Sequence, residues 1–230
     1  MTRREAKELG ARFEDAEPQE ILEWAIATYR PSVALSSSFG VESAGLLHMA
    51  TRIDPEIPVL FLNTGFHFEE TLRFVAELTK LLDLNLREFK ATSDQEEGTR
   101  FRLRARGAGT GTCCADVKVP LMRESLKGLD CWIAGLRRDQ SDSRRQVRIV
   151  EPYGNGLTKV HPLANWSTER LHDYLRENDL PFHPLWYLGY TSIGCEPCTS
   201  LPVQGLSNRS GRWTGTGKTE CGIHTFLPQK

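Results

Sequence analysis

Short apolar runs alternate with helix-like segments through the first half of the chain, and this alternation restricts the fold more than any other feature. Helical periodicity with one apolar face covers residues 18–29, 41–51, 68–82 and 168–178. Strand-like apolar runs cover residues 33–35, 58–62, 84–89, 131–135 and 146–151. Because strands that alternate with helices of roughly 10–15 residues form βαβ units, the sequence predicts an α/β fold with a parallel sheet.

The composition is that of a globular protein with one core. The chain has 230 residues, 39% of them hydrophobic and 26% charged, and its formal net charge is −1. This near-zero charge does not favour a nucleic-acid partner. No apolar run reaches the roughly 20 residues of a membrane span, and the charged N terminus lacks the apolar core of a signal peptide, so we expect a cytoplasmic protein. We assign residues 1–210 to one domain and expect 211–230, which are rich in glycine, to form a mobile tail.

Polar loops follow three of the strand-like runs, at residues 36–43, 63–65 and 135–141. In a doubly wound sheet, ligands bind beyond the carboxyl ends of the strands. Small side chains and a following helix N terminus make the first loop suitable for a phosphate. Singly, each loop can be a plain turn and the arginines a solvated face, but together they favour a nucleotide that carries a phosphate group. The basic residues in and after the third loop are Arg137, Arg138, Arg144 and Arg145.

Four cysteines form a second pattern, an adjacent pair and a C-x-x-C segment: Cys113, Cys114, Cys195 and Cys198. Without a secretory signal, metal binding is a better interpretation than a disulfide framework. Adjacent cysteines diverge along the chain and suit one tetrahedral ion poorly, whereas each can take its own iron corner of a cubane. We therefore predict a [4Fe–4S] cluster, with structural zinc, or an unrelated pair and C-x-x-C, as the alternatives. Cys131 lies in an apolar run and is predicted to be a core residue.

Cys221 lies near the C terminus between Lys218 and His224. Only the thiolate form of cysteine is a good nucleophile, and a neighbouring cation lowers the pKa of the thiol. Cys221 is therefore a candidate nucleophile. From chemistry alone, an ordinary exposed thiol remains the simpler interpretation.

Several motifs occur in one order along the chain, at residues 113–118, 135–141, 192–199, 209–213 and 220–224. Together they resemble the phosphoadenylyl-sulfate (PAPS) reductase family, and within it the assimilatory adenylyl-sulfate (APS) reductases. The resemblance implies an adenine-nucleotide α-hydrolase-like, Rossmann-like fold, with a five-stranded parallel sheet flanked by helices. It also implies reduction of APS to sulfite and AMP in sulfate assimilation and cysteine biosynthesis, with thioredoxin or glutaredoxin as the external reductant. Some cluster-bearing relatives accept PAPS as well.

The resemblance also implies a role for each motif residue. Ser36, Ser38, Leu62 and Gly135 would hold the adenosine part. Lys118, Arg144, Arg209, Arg212 and His224 would surround the phosphosulfate. Cys113, Cys114, Cys195 and Cys198 would hold the [4Fe–4S] cluster, and Cys221 would attack the sulfate sulfur. Asn63 stands where many relatives have aspartate.

Two other functions make different predictions from those of a reductase. An ATP pyrophosphatase of the same superfamily predicts a Ser-Gly-Gly-x-Asp-Ser loop, but residues 37–43 read Ser-Ser-Phe-Gly-Val-Glu-Ser, and no Walker or G-x-G-x-x-G motif is present. A metal-bearing redox sensor or nucleic-acid-binding module predicts a basic face and does not need Cys221. The sequence is compatible with a homo-oligomer, because the aromatic residues of the second half suit a core, a substrate cover or an interface. These residues are Trp166, Trp186, Tyr187, Tyr190 and Trp213.

Overall fold

The computed structural model describes residues 1–106, 114–154, 156–214, 216 and 218–224. Within them, six strands form one sheet in the order β3-β2-β1-β4-β6-β5. The strands are β1 (Val33–Ser37), β2 (Val59–Asn63), β3 (Leu86–Lys90), β4 (Cys131–Ala134), β5 (Val150–Tyr153) and β6 (Leu157–Val160). All neighbouring pairs are parallel except β5 and β6. The predicted α/β fold with a mainly parallel sheet is confirmed.

The strand count of five was wrong by one. β5 overlaps the predicted run 146–151 only at its last two residues, and it turns back antiparallel onto β6, which the sequence did not reveal. β6 lies next to β4 and pairs Cys131 with Thr158. The sequence pattern did not predict β6 because two of its four residues, Thr158 and Lys159, are polar. Both are nevertheless only 1% exposed.

The described α-helices cover both faces of the sheet. They are α1 (Arg3–Arg12), α2 (Pro18–Tyr29), α3 (Ser43–Ile53), α4 (Glu69–Leu81), α5 (Ser93–Arg106), α6 (Val119–Ser125) and α7 (Thr168–Glu177). The predicted helices 18–29, 41–51, 68–82 and 168–178 are confirmed with small shifts at their ends, and the Ser167 side chain caps α7 by accepting from the Arg170 N–H. None of the described helices is long and apolar enough to cross a membrane.

Alternate residues of each central strand enter different cores, as the two-residue period of a strand requires. In β4, Cys131 and Ile133 join the larger core, whereas Trp132 and Ala134 face a smaller core that includes Met122 of α6. Cys131 is fully buried, so its predicted core role is confirmed. Burial on both faces explains why these strands are continuous apolar runs.

The strand order creates the position where a ligand can bind. The chain runs outward from β1 to β2 and β3, and then returns to place β4 on the other side of β1. Such a reversal leaves a crevice at the carboxyl ends of the two strands on either side of it. Ser36 of β1 pairs with Ala134 of β4 at this edge, so the predicted first and third loops start side by side.

A buried histidine predicts acid sensitivity of the fold. His183 is fully buried; its Nδ1 accepts from the Leu185 backbone N–H (3.1 Å), and its Nε2 lies 3.0 Å from the Thr71 hydroxyl. Burial lowers the pKa of His183 to about 4 from 6.5. The unfolded chain therefore binds one more proton here between these pH values, and stability falls as pH falls through that window. We expect His183→Gln to remove up to about 3 kcal/mol of the acid-induced loss in unfolding free energy.

Denaturant unfolding of both proteins between pH 7 and pH 4 measures this difference. Identical pH dependence of the two unfolding free energies would contradict the assignment.

Candidate active site

A cavity of about 210 Å³ opens at the carboxyl ends of β1, β2 and β4. Every residue predicted to bind substrate lines it, and so does Cys221. Its wall combines the first and third loops with cationic side chains and the tail. The predicted residues found in its wall are Ser36, Ser38, Leu62, Lys118, Gly135, Arg144, Arg209, Arg212, Cys221 and His224.

The first loop is held in an unusual backbone conformation at the cavity edge. Phe39 has φ of 48°, a left-handed conformation that is uncommon for a residue with a side chain, and its ring is fully buried. Its N–H donates to the Ser37 hydroxyl (3.1 Å). The Ser36 hydroxyl accepts from the indole N–H of Trp132 (2.7 Å), so β4 fixes the side chain at the end of β1. The loop is therefore shaped by its own serines and by the core beneath it.

Buried ion pairs join the first loop to the third. Arg137 is 2% exposed and donates to Glu42 (2.6 Å), Asp139 (3.0 Å) and Thr168 (2.8 Å). Glu42 also lies 2.9 Å from the His172 ring, which links the first loop to α7. Burial alone would raise the pKa of Glu42, but these hydrogen bonds and the Arg137 charge hold it below its usual value. Arg137 is thus a structural cross-link at the cavity edge.

The four arginines of the third loop have different environments. Arg138 pairs with Glu14 and donates to the Val147 carbonyl, away from the cavity. Arg145 is exposed and pairs with Asp142. Arg137 and Arg144 are both buried and both line the cavity; Arg137 is held by Glu42, and Arg144 is held by Glu220. The charge pattern alone could not distinguish these environments, because they depend on which carboxylates fold nearby; only the family resemblance selected Arg144.

A buried cation, Lys118, and a half-buried one, Arg212, lie among the cysteine sulfurs. Burial alone would lower the pKa of Lys118, but the sulfurs of Cys221, Cys195 and Cys114 raise it above its ordinary value. Lys118 is therefore an ammonium. Burial lowers the pKa of Arg212, and the same sulfurs oppose that shift. The two cations thus connect the cavity to the cysteines.

The C-x-x-C segment is joined to both sides of the site. Cys195 pairs with His67 in an isolated bridge after β2, and its sulfur lies 3.5 Å from the Thr64 hydroxyl. A short 3₁₀ turn follows at Glu196–Cys198. Arg212 then donates from Nε to the Cys198 carbonyl (3.2 Å). This arrangement brings the second polar loop, the cysteines and a cavity cation together.

Cys114 and Cys221 meet at the cavity wall, with 3.7 Å between their sulfur atoms, and Lys218 Nζ lies 3.2 Å from the Cys114 sulfur. A hydrogen bond from Cys114 lowers the pKa of Cys221 well below its usual range; burial opposes this shift, while the Lys118 ammonium and the Ile223 backbone N–H support it. The Lys118 charge and the Ile223 N–H favour the Cys221 thiolate independently of Cys114, whereas the hydrogen bond from Cys114 requires Cys114 to keep its proton.

Three buried thiols are candidate metal ligands. Cys114, Cys195 and Cys198 are buried, at 7%, 5% and 7% exposure, and Lys118 and Arg212 lie beside them. Cys113, the fourth predicted ligand, lies outside the described residues. Within the part of the chain that is described, no three His, Cys, Asp or Glu side chains converge as ligands of a single metal ion. The donor set and the flanking cations fit an anionic thiolate-bound cluster better than one zinc ion.

The sequence analysis did not predict two contacts of the tail at the cavity, one made by His224 and one by Glu220. His224 stacks on Trp132, with ring centroids 5.5 Å apart and planes 6° from parallel. Its Nδ1 is buried without a hydrogen-bond partner among the described residues, and burial lowers the pKa of His224 well below its usual value. Glu220 pairs with Arg144 and Arg209. The one available signal for Glu220 was its position beside Cys221.

The fold and cavity define a class: α/β proteins that bind a nucleotide at a topological switch point. In this member, basic side chains that suit an anion and a thiol line the cavity. The model of the phosphoadenosine phosphosulfate reductase domain matches residues 32–201, and the chain belongs to this family. The resemblance predicted from the motifs is confirmed.

Similar proteins carry two related names. A phosphoadenosine 5'-phosphosulfate reductase from Alkalilimnicola ehrlichii is 42% identical, over 92% of this chain and 88% of its own. An adenosine 5'-phosphosulfate reductase from a Chelativorans species is 40% identical, over 96% of this chain and 91% of its own. The crystal structure of a phosphoadenylyl-sulfate reductase from Candida auris, at 24% identity, covers 85% of this chain and 96% of that one with a TM-score of 0.74 and supports the fold.

Proposed function

We propose that this protein reduces adenylyl sulfate to sulfite and AMP, with Cys221 as the nucleophile and a thioredoxin or glutaredoxin as the external reductant. The single observation that carries the proposal is the position of Cys221, in the same cavity wall as Lys118, Arg144, Arg209 and Arg212. The family membership and the names of the relatives support a reductase of nucleotide-bound sulfate. The reduced thiols that this chemistry needs favour the cytoplasm.

Substrate binding would divide the residues that line the cavity between two chemical parts. Ser36, Ser38, Leu62 and Gly135 would hold the adenosine. The phosphosulfate would lie against Lys118, Arg144, Arg209, Arg212 and His224. The unpartnered Nδ1 of His224 supports this assignment, because a buried polar atom without a partner costs free energy that a bound ligand can recover.

The first step is a nucleophilic displacement at sulfur. The Cys221 thiolate attacks the sulfate sulfur, an S–S bond forms, and the bond from that sulfur to the bridging oxygen breaks. The bridging oxygen and its electron pair leave with AMP, and Cys221 becomes an S-sulfocysteine. Negative charge develops on the leaving phosphate oxygens, where preorganised Arg144, Arg209 and Lys118 would stabilise it. The Lys118 ammonium would favour the thiolate form of Cys221 that attacks.

The second step needs two electrons that the enzyme does not supply. A thiolate of the external dithiol attacks the Cys221 sulfur and releases sulfite, which leaves a mixed disulfide. The partner's second thiol then attacks that disulfide and frees Cys221, so the dithiol ends as a disulfide. The tail would have to expose Cys221 for this exchange, which is the reason to propose that residues 211–230 move.

Cys113, Cys114, Cys195 and Cys198 would hold a [4Fe–4S] cluster, which when bound would supply fixed charge beside the sulfate site. The displacement described above needs no electron from it. The charge of the cluster would act on the cavity through Lys118 and Arg212, because both residues interact with the cysteine sulfurs and line the cavity. Their own role is to orient the sulfate and to hold Cys221 as a thiolate.

We propose the unphosphorylated nucleotide as the preferred substrate and its 3'-phosphorylated form as a second one. An additional phosphate needs additional donors. Arg138 and Arg145 are not among the residues that line the cavity, and they pair with Glu14 and Asp142, which supports the smaller substrate.

One assay tests the function. The protein is purified without oxygen, and sulfite is measured from both nucleotides with thioredoxin present. We expect a brown protein and a kcat/KM for adenylyl sulfate at least about tenfold above that for the 3'-phosphorylated nucleotide, as expected when extra phosphate charge finds no partner. If neither nucleotide yields sulfite, the proposed function is refuted. A colourless protein that contains zinc would refute the proposed cofactor.

A further inference from the structure

Both carboxylate oxygens of Glu220 are occupied by donors from the cavity wall. Oε1 accepts from Arg144 Nε (2.7 Å) and from the Ser143 hydroxyl (3.0 Å). Oε2 accepts from Arg144 Nη2 (2.7 Å) and from Arg209 Nη2 (3.2 Å). The pairing with Arg144 is bidentate, which is the strongest and most directional geometry available to a carboxylate.

The arginines that hold Glu220 are themselves fixed. Arg144 Nη1 donates to the Gln140 side chain, which also accepts from the Arg137 N–H (3.1 Å). The side chains of Arg144, Arg209 and Glu220 are 10%, 14% and 22% exposed. Partial burial limits screening by salt, so this pairing is stronger than a surface ion pair.

Glu220 directly precedes Cys221, so the ion pairs that fix the Glu220 carboxylate also restrict the position of Cys221. Consecutive Cα atoms are about 3.8 Å apart, and a fixed carboxylate leaves its neighbour little freedom. We propose that Glu220 is a positioning residue: it latches the tail to Arg144 and Arg209 and thereby holds the Cys221 sulfur in the cavity. The kinetic part of this inference rests on the proposed function.

The alternative is that Glu220 only neutralises the arginines until a substrate anion displaces it. The donor count favours the latch. A guanidinium has five N–H groups, and Arg144 uses three of them on Glu220 and Gln140. Two N–H groups remain for a substrate oxygen, so Arg144 can hold the tail and an anion at the same time.

Glu220→Gln in the cluster-containing enzyme tests the latch, because it keeps the size of the side chain and removes its charge. We expect trypsin to cleave after Lys218 about tenfold faster, since loss of a charge-assisted pair raises the population of the open tail by about that factor. We also expect the single-turnover rate of Cys221 sulfonation at saturating adenylyl sulfate to fall about tenfold, with KM within about threefold of wild type. Glu220→Asp keeps the charge and should recover part of both effects.

Asp142→Asn is the matched control, because Asp142 forms an exposed ion pair with Arg145 on the same loop. It should leave proteolysis and kinetics unchanged. Unchanged tryptic cleavage in Glu220→Gln would overturn the latch. A lower KM with an unchanged sulfonation rate would identify Glu220 as a displaced counter-ion and also overturn it. If wild type releases no sulfite, the proposed function fails, while the proteolysis measurement, which uses no substrate, still decides the latch.

Discussion

Replacement of Cys221 with serine is expected to reduce sulfite release by about 10⁴-fold or more, because the reaction loses its nucleophile. A serine hydroxyl does not ionise near neutral pH, and Lys118 cannot lower its pKa far enough to change this. AMP binding should stay within about twofold of wild type, since Ser36, Ser38 and Gly135, the residues proposed to hold the adenosine, are unchanged. Sulfite assays and AMP titrations measure the two effects separately.

The covalent intermediate gives a second measurement. Wild-type enzyme incubated with adenylyl sulfate and no reductant should carry one sulfonate group, and peptide mass spectrometry should find it on Cys221. Cys131→Ala is the matched control, because Cys131 is fully buried in β4 and belongs to the core. Sulfonation of any other cysteine, or a serine variant with wild-type activity, would refute Cys221 as the nucleophile.

Replacement of Cys198 with alanine is the second change with a large expected effect. We expect the purified protein to lose its iron and its visible absorbance, and sulfite release to fall about 100-fold or more, because Lys118 and Arg212 would face an incomplete set of thiolates. Iron analysis and absorbance spectra measure the first effect. The product stoichiometry of the remaining activity should still be one sulfite per oxidised dithiol.

The same Cys131→Ala variant serves as the control and should keep wild-type iron content. Iron content in Cys198→Ala equal to that of wild type would exclude Cys198 as a ligand. Cluster oxidation and reduction during turnover would contradict the electrostatic role proposed for the cluster.

Local periodicity predicted much of the framework. Residues 18–29 form α2 within the predicted bounds, because Ile21, Leu22, Ala25 and Ile26 recur at helical spacing and are all buried. The β6 strand escaped prediction because Lys159 is buried there, its ammonium 4.5 Å from the Trp132 ring centroid. A sequence pattern registers polarity, but it does not register a cation–π partner contributed by another strand.

The candidate site divides in a similar way. Every residue that the motifs predicted to bind substrate lines the cavity. Charge pattern alone did not distinguish Arg144 from Arg137 and Arg138, and only the family resemblance selected Arg144, because folding decides which carboxylates approach each guanidinium. The roles of these residues remain predictions until the variants are measured.

The sequence by itself determined the α/β class, the family and the set of chemical groups available, because periodicity and motif spacing are local properties of a chain. The tertiary structure decided how those groups meet. It brought Cys221 to within 3.7 Å of Cys114, across 107 positions of sequence, and joined Glu220 to Arg144 and Arg209. Such contacts depend on the strand order and on the path of the tail, and both are set by long-range packing that no local pattern encodes.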